Sequence, residues 1–158
     1  MHARSLPLPA FALPGIAAGL IGAVLIDAYL LIVFVLLTHT LSAAAFYEYV
    51  ASGAIGPAAY TTPGSVLFGI AIHLLVGIAW GVGYAFVATR MPQVRARPLL
   101  SGIAYGFVVM IAMQLVEVAA NIYVQPTTFS LGNQLIAHTL FFGVPVAFIV
   151  GKRLDQSA

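Results

Sequence analysis

Residues 63–89 read PGSVLFGIAIHLLVGIAWGVGYAFVAT. The stretch holds no Asp, Glu, Lys or Arg, and its single imidazole is His73. A helix needs roughly 20 mostly apolar residues to cross a bilayer, and this run exceeds that. A β-barrel strand would alternate apolar and polar residues over about 10 positions; here there is no alternation. Working outward, three more such stretches appear, from about Pro14 to Leu41, Pro98 to Ile122 and Ser130 to Gly151. Prolines open the first three spans, where a missing N–H costs little. Internal Gly and Pro are tolerable because neighbouring helices can satisfy freed backbone groups. The expected fold is all-α: a four-helix transmembrane bundle with spans at about 14–41, 63–89, 98–122 and 130–151, in one domain over residues 1–158.

Composition points the same way. Hydrophobic residues make up 62% of the 158 and charged ones 6%, against about 25% charged in a soluble domain. The bilayer must therefore be the main solvent. The absence of cysteine excludes disulfides, Cys-ligated metals and thiol nucleophiles. A net charge of +2 in short clusters gives no surface for nucleic acid. The basic residues Arg4, Arg90, Arg95, Arg97, Lys152 and Arg153 all fall on the side shared by both termini and the middle loop. The positive-inside rule places that side in the cytoplasm, giving an N-in/C-in protein of a bacterial-type inner membrane. The first span is too long for the apolar core of a cleaved signal. On the outer face, Ala43 to Ala51 is expected to form a short helix in the headgroup region, its aromatic rings around Glu48.

The first and third spans begin alike. Gly15-Ile16-Ala17-Ala18-Gly19 matches Gly102-Ile103-Ala104-Tyr105-Gly106, and the same offset pairs Ala23 with Met110 and Asp27 with Gln114. The second and fourth spans each carry a histidine about nine residues below the outer surface. The expectation is a two-hairpin internal repeat about an axis along the membrane normal. Gly69, Gly77, Gly81 and Ala85, with His73 among them, form a small-residue ridge on the second span. Gly15, Gly19, Gly102 and Gly106 form similar ridges on the first and third. Such ridges allow close helix packing within a bundle or a homodimer, or a groove for a flat ligand beside His73.

Ionisable groups inside a span are costly and mark candidate sites. They are Asp27, His73, Glu117 and His138, with His39 near the outer end of the first span. A rise of 1.5 Å per residue puts His73, His138 and Glu117 at similar depth and Asp27 near the middle. Gln114, Glu117 and Asn121 form an inward polar stripe. Four readings follow. The histidines and Glu117 can be interhelical hydrogen-bond partners. They can form a protonatable site, since histidine titrates near neutral pH. His73 and His138 can be axial ligands of haem b or another pigment, walled by Trp80, Phe141 and Phe142. Asp27 can serve a small dimeric transporter. No hydrolase, phosphate-loop or zinc-protease motif is present.

The stretch from His73 through Gly83-Tyr84 to Pro92 resembles the YagU-like inner-membrane proteins, in which a His-containing helix ends in Gly-Tyr and a proline follows. Ser101-Gly102, His138 and the basic end Lys152-Arg153 fit the same pattern, so the resemblance covers roughly Gly69 to Leu154. It implies an inner-membrane protein loosely linked with acid resistance, with His73 and His138 as the positions to carry over. The expected role is non-enzymatic: a small membrane protein with a pH-responsive polar site at His73, His138, Glu117, Gln114 and Asp27, or an accessory subunit of a larger membrane complex, homo-oligomeric or otherwise. No metal is expected, and the cofactor is unknown, with haem b as the alternative.

Overall fold

The computed structural model describes residues 10–156. Arg4 and the proline-rich N-terminus lie outside the described residues. The fold is all-α, with four helices long and apolar enough to cross a membrane, at Ala12–Leu37, Ser65–Arg90, Pro98–Ala119 and Thr128–Asp155. In the first, α1 (Ala12–Leu31) runs on as a π-helix over Ile32–Leu37. Helix α2 (Ala43–Ile55) follows, then the second span, α3 (Ser65–Arg90). A short α4 (Pro92–Ala96) leads to α5 (Pro98–Ala119). The fourth span is α6 (Thr128–Ile136), a π-helix over Ala137–Gly143, and α7 (Val144–Asp155).

Local chemistry sets the boundaries. Gly64 takes φ 87° just before α3, a left-handed backbone that glycine adopts at no steric cost. Pro92 follows the end of α3, and Pro98 opens α5 at a position that needs no N–H. Helix α5 stops at Ala119. The Asn121 N–H bonds Val118 O and the Ile122 N–H bonds Glu117 O, with Asn121 at φ 57°. This is a Schellman cap. The third span therefore ends before Ile122, and Asn121 terminates the helix where the sequence pattern had extended the polar stripe. The first span likewise ends at Leu37, and His39 sits exposed in the turn before α2 at φ 51°. In the fourth span Pro145 cannot donate the backbone bond to the preceding turn. The π-helix lies directly before it.

The helices pack as α3 on α1, α1 on the fourth span, and the fourth span on α5, while α3 and α5 scarcely touch by backbone. Glycines make the close crossings. A Cβ at Gly15 would stand 2.6 Å from Val82 Cα, and one at Gly102 would stand 2.7 Å from Val144 Cα. Gly19 lies on Gly77 and Ile78, and Gly106 lies on His138 and Thr139. Gly81 meets Gly15 and Gly19, and Gly143 meets Gly102 and Gly106. The α1/α3 and α5/fourth-span contacts therefore correspond pair by pair. One difference stands out: Gly77 to Gly81 is four residues, whereas His138 to Gly143 is five. The π-helix absorbs the extra residue. Matching the hairpins on these contacts sets His138 opposite Gly77, with Gln134 one turn outward in the place of His73. The sequence had paired His73 with His138.

The core is built from small side chains, with Ala18, Ala85, Ala88, Ala137 and Ala147 fully enclosed around Tyr84, Val146 and Val150. Large apolar side chains point outward, among them Leu67 (73% exposed), Leu75 (63%) and Leu115 (64%). That distribution is the reverse of a water-facing domain and suits an apolar solvent. Helix α2 is longer than the expected headgroup segment. It starts at Ser42, whose hydroxyl accepts from the Ala45 N–H at 3.0 Å. It packs onto α3 at Gly69, where the Tyr47 carbonyl occupies the space a side chain would need.

Candidate functional site

Asp27 lies two turns beyond Gly19 on α1 and is 7% exposed. Its Oδ1 stands 2.9 Å from His73 Nδ1 on α3. The pair is close but not aligned: neither atom has a hydrogen bond of good angle. The contact is one of charge and proximity. The other oxygen, Oδ2, accepts from the Tyr47 hydroxyl of α2 at 3.2 Å. Phe46 covers the imidazole edge-on, with centroids 6.3 Å apart. One carboxylate thus joins α1, α3 and α2.

Below His73 is a cavity of about 40 Å³, walled by Gly77, Trp80, Val109, Met113, Phe142 and His138 among others. His138 Nδ1 lies 2.9 Å from the Gln134 carbonyl one turn back. A carbonyl only accepts, so Nδ1 carries the proton and the neutral ring keeps its lone pair on Nε2. In neutral His73, an Nδ1–H toward the carboxylate likewise leaves the lone pair on Nε2. Two imidazoles with free Nε2 acceptors therefore border a space large enough for water, which needs two or more polar partners to be held. Water, with two donors, suits such a pair.

Glu117 stands apart from this cavity. It faces the Tyr49 hydroxyl of α2, whose nearest aligned acceptor is the Ile122 carbonyl at 3.5 Å. Gln114 is half-buried on α5 and also outside the cavity wall. The structure thus brings His73 and His138 to one cavity and adds Asp27 to His73. Glu117 faces Tyr49 of α2, away from that cavity. Burial, and then the Asp27 charge, push the Tyr47 phenol up to about 12. Burial and then Glu117 push the Tyr49 phenol up as well. Both tyrosines are therefore donors at every physiological pH.

The haem reading gains no support: the two histidines border a cavity of about 40 Å³, and Gly77 is closed against Ala23. Among the described residues no three His, Asp or Glu side chains gather to hold a metal. The sequence reading missed Tyr47, which it placed among headgroup-facing aromatics. It also missed Asn133, whose Oδ1 accepts from Tyr29 OH at 2.6 Å and ties the first span to the fourth. Comparison with protein-family models, curated proteins and solved structures gives no match.

Proposed function

We propose that this chain is a small, non-enzymatic, multi-pass inner-membrane protein whose Asp27–His73–Tyr47 site couples protonation to the docking of α2. The observation that carries the reading is the position of Asp27. A carboxylate within a span is expensive, and this one is held between an imidazole and, among the described residues, the only long helix outside the spans. Histidine changes charge between about pH 5 and 8. When His73 gains a proton, its cation 2.9 Å from Asp27 Oδ1 becomes the main partner of the carboxylate. Neutralising the carboxylate charge in place weakens its hold on the Tyr47 hydroxyl at Oδ2, and α2 is freed to lift. Acid outside therefore loosens the outer helix.

Supporting the topology, Arg90, Arg95, Lys152 and Arg153 lie at one end of the bundle, where Arg95 and Asp155 approach to 3.8 Å. That clustering favours a cytoplasmic placement for this end, with α2 outside. The matched glycine crossings favour two duplicated hairpins. On that reading Gln114 and Gln134 stand where the first hairpin has Asp27 and His73, so only one hairpin carries a carboxylate–imidazole pair. The YagU-like resemblance and its acid link agree with this role. Association with itself or a larger complex remains part of the proposal, since much of the outward surface is apolar.

The chain has no cysteine, so one introduced thiol reports cleanly. Ser52 on α2 is 1% exposed. In Ser52→Cys protein in liposomes, labelling by a charged thiol reagent that reacts independently of pH should rise as external pH falls from 8 to 5. The rise should vanish in a His73→Gln background and persist with Glu117→Gln. A flat profile, or one indifferent to His73, would sink the proposal.

A further inference from the structure

We infer that the groove between α3 and α5 is a binding site for one anionic phospholipid of the leaflet at the basic end. Because these helices scarcely touch by backbone, aromatic side chains hold them apart. Tyr105 OH donates to the Trp80 carbonyl, and Tyr84 OH meets Ser101 Oγ at 2.9 Å. The remaining furrow has a volume of about 520 Å³ and is lined by Ala79, Trp80, Gly83, Phe86, Val87 and Tyr105. Its lining is apolar and it is open on one side.

Length and charge identify the occupant. From Ala79 to Arg90 the helix rises roughly 16 Å at 1.5 Å per residue, close to half of an approximately 30 Å hydrocarbon core. At the basic mouth, the Arg90 guanidinium is held 4.7 Å over the Phe86 ring. Stacking fixes the cation beside the groove while leaving its donors free for a phosphate. Arg97 is exposed at the same end, and Asp155 is the only carboxylate there among the described residues. An acyl chain in the furrow with its phosphate on Arg90 satisfies both features. An apolar partner helix would leave the cation unused, and a zwitterionic lipid sets its own ammonium beside its phosphate, so it meets the net positive charge of Arg90 and Arg97 less well than an anionic one.

The test uses the full chain in mild detergent, with phosphatidylglycerol and phosphatidylcholine of identical chains, read by native mass spectrometry and by thermal shift. Phosphatidylglycerol should bind saturably at one per chain and raise Tm more than phosphatidylcholine. Arg90→Gln, at an exposed position, should weaken phosphatidylglycerol binding by about fivefold, the scale of one cation near a membrane surface, and weaken phosphatidylcholine binding less, so that the preference shrinks. Gly83→Leu should fill the furrow and weaken both. Should that variant fold poorly, Phe86→Ala, which removes the support of Arg90 at a half-exposed site, should reproduce the loss of headgroup preference. Equal binding of the two lipids, a preference untouched by Arg90→Gln, or a dimer that seals this face and excludes lipid would each overturn the inference.

Discussion

Replacing Tyr47 by Phe isolates the link between α2 and the buried carboxylate of Asp27. The ring stays, and only the hydroxyl is lost. Asp27 Oδ2 is then left without its 3.2 Å donor. Hydrogen bonds to charged groups contribute about 1.5–3 kcal/mol; the long distance points to the lower end. Other contacts holding α2 survive, since the Tyr47 carbonyl still rests on Gly69 and Ala51 and Ser52 stay buried against the bundle. The expected loss is therefore about 1.5 kcal/mol in docking, which is roughly tenfold in the open population. With Ser52→Cys as reporter in liposomes at pH 7.5, labelling should become about tenfold faster. The acid response should shrink in parallel, because the bond that acid weakens is already gone. A rate within twofold of the parent, with the pH response intact, would show that Tyr47 does not latch α2.

Three other outcomes follow from the same contacts. Asp27→Asn should abolish the acid-dependent rise in Ser52→Cys labelling, since a protonated His73 then has no carboxylate to capture; a surviving rise would place the sensor elsewhere. Tyr47 has its phenol raised from 10 to about 12, so its neutral form stabilises docking fully below pH 10, and that contribution is lost as pH climbs from 10 through 12. Absorbance of tyrosinate near 295 nm should lose one late-titrating phenol in Tyr47→Phe, while the late titration of Tyr49 remains. At the first crossing, a Cβ on Gly81 would sit 2.5 Å from Gly19 Cα and N, so Gly81→Ala must part α1 from α3 by about 1 Å and lose about 1–3 kcal/mol, whereas Gly132→Ala meets nothing within 4 Å and should be neutral or slightly stabilising. Unfolding in detergent that fails to separate these two variants would refute the packing argument.

The spans and their small-residue ridges are legible because they depend on properties that simple counting captures, apolar length and spacing of three or four. Depth is equally readable, at 1.5 Å per residue. Azimuth is not, since each residue turns the helix by 100°. That is why His73, His138 and Glu117 could be placed at one level, while only the structure shows Glu117 turned to Tyr49 and His73 to Asp27. The role of Tyr47 was hidden for another reason. A tyrosine in a short outer loop looks like a headgroup anchor unless the loop is known to fold back over α3, and that return depends on one glycine, Gly69, whose missing side chain admits the Tyr47 carbonyl.

The π-helix in the fourth span was also beyond reach, although its cause can be stated from the residues. With unbroken α-helical spacing, the residue four beyond His138 would meet Gly102 and Gly106, as Gly81 meets Gly15 and Gly19 in the first hairpin. That residue is Phe142, and no phenyl ring fits where backbones touch. One inserted residue brings Gly143 to the crossing instead. The same shift sends Phe142 to Gly22 and to the wall of the cavity beneath His73. Thus a change that looks like a local irregularity satisfies two demands together, close contact on one face of the fourth span and an aromatic wall on the other. His138 lies within this π-helix. Its distance from His73 across the cavity is therefore set by the insertion, and not by the shared depth that first linked the two histidines.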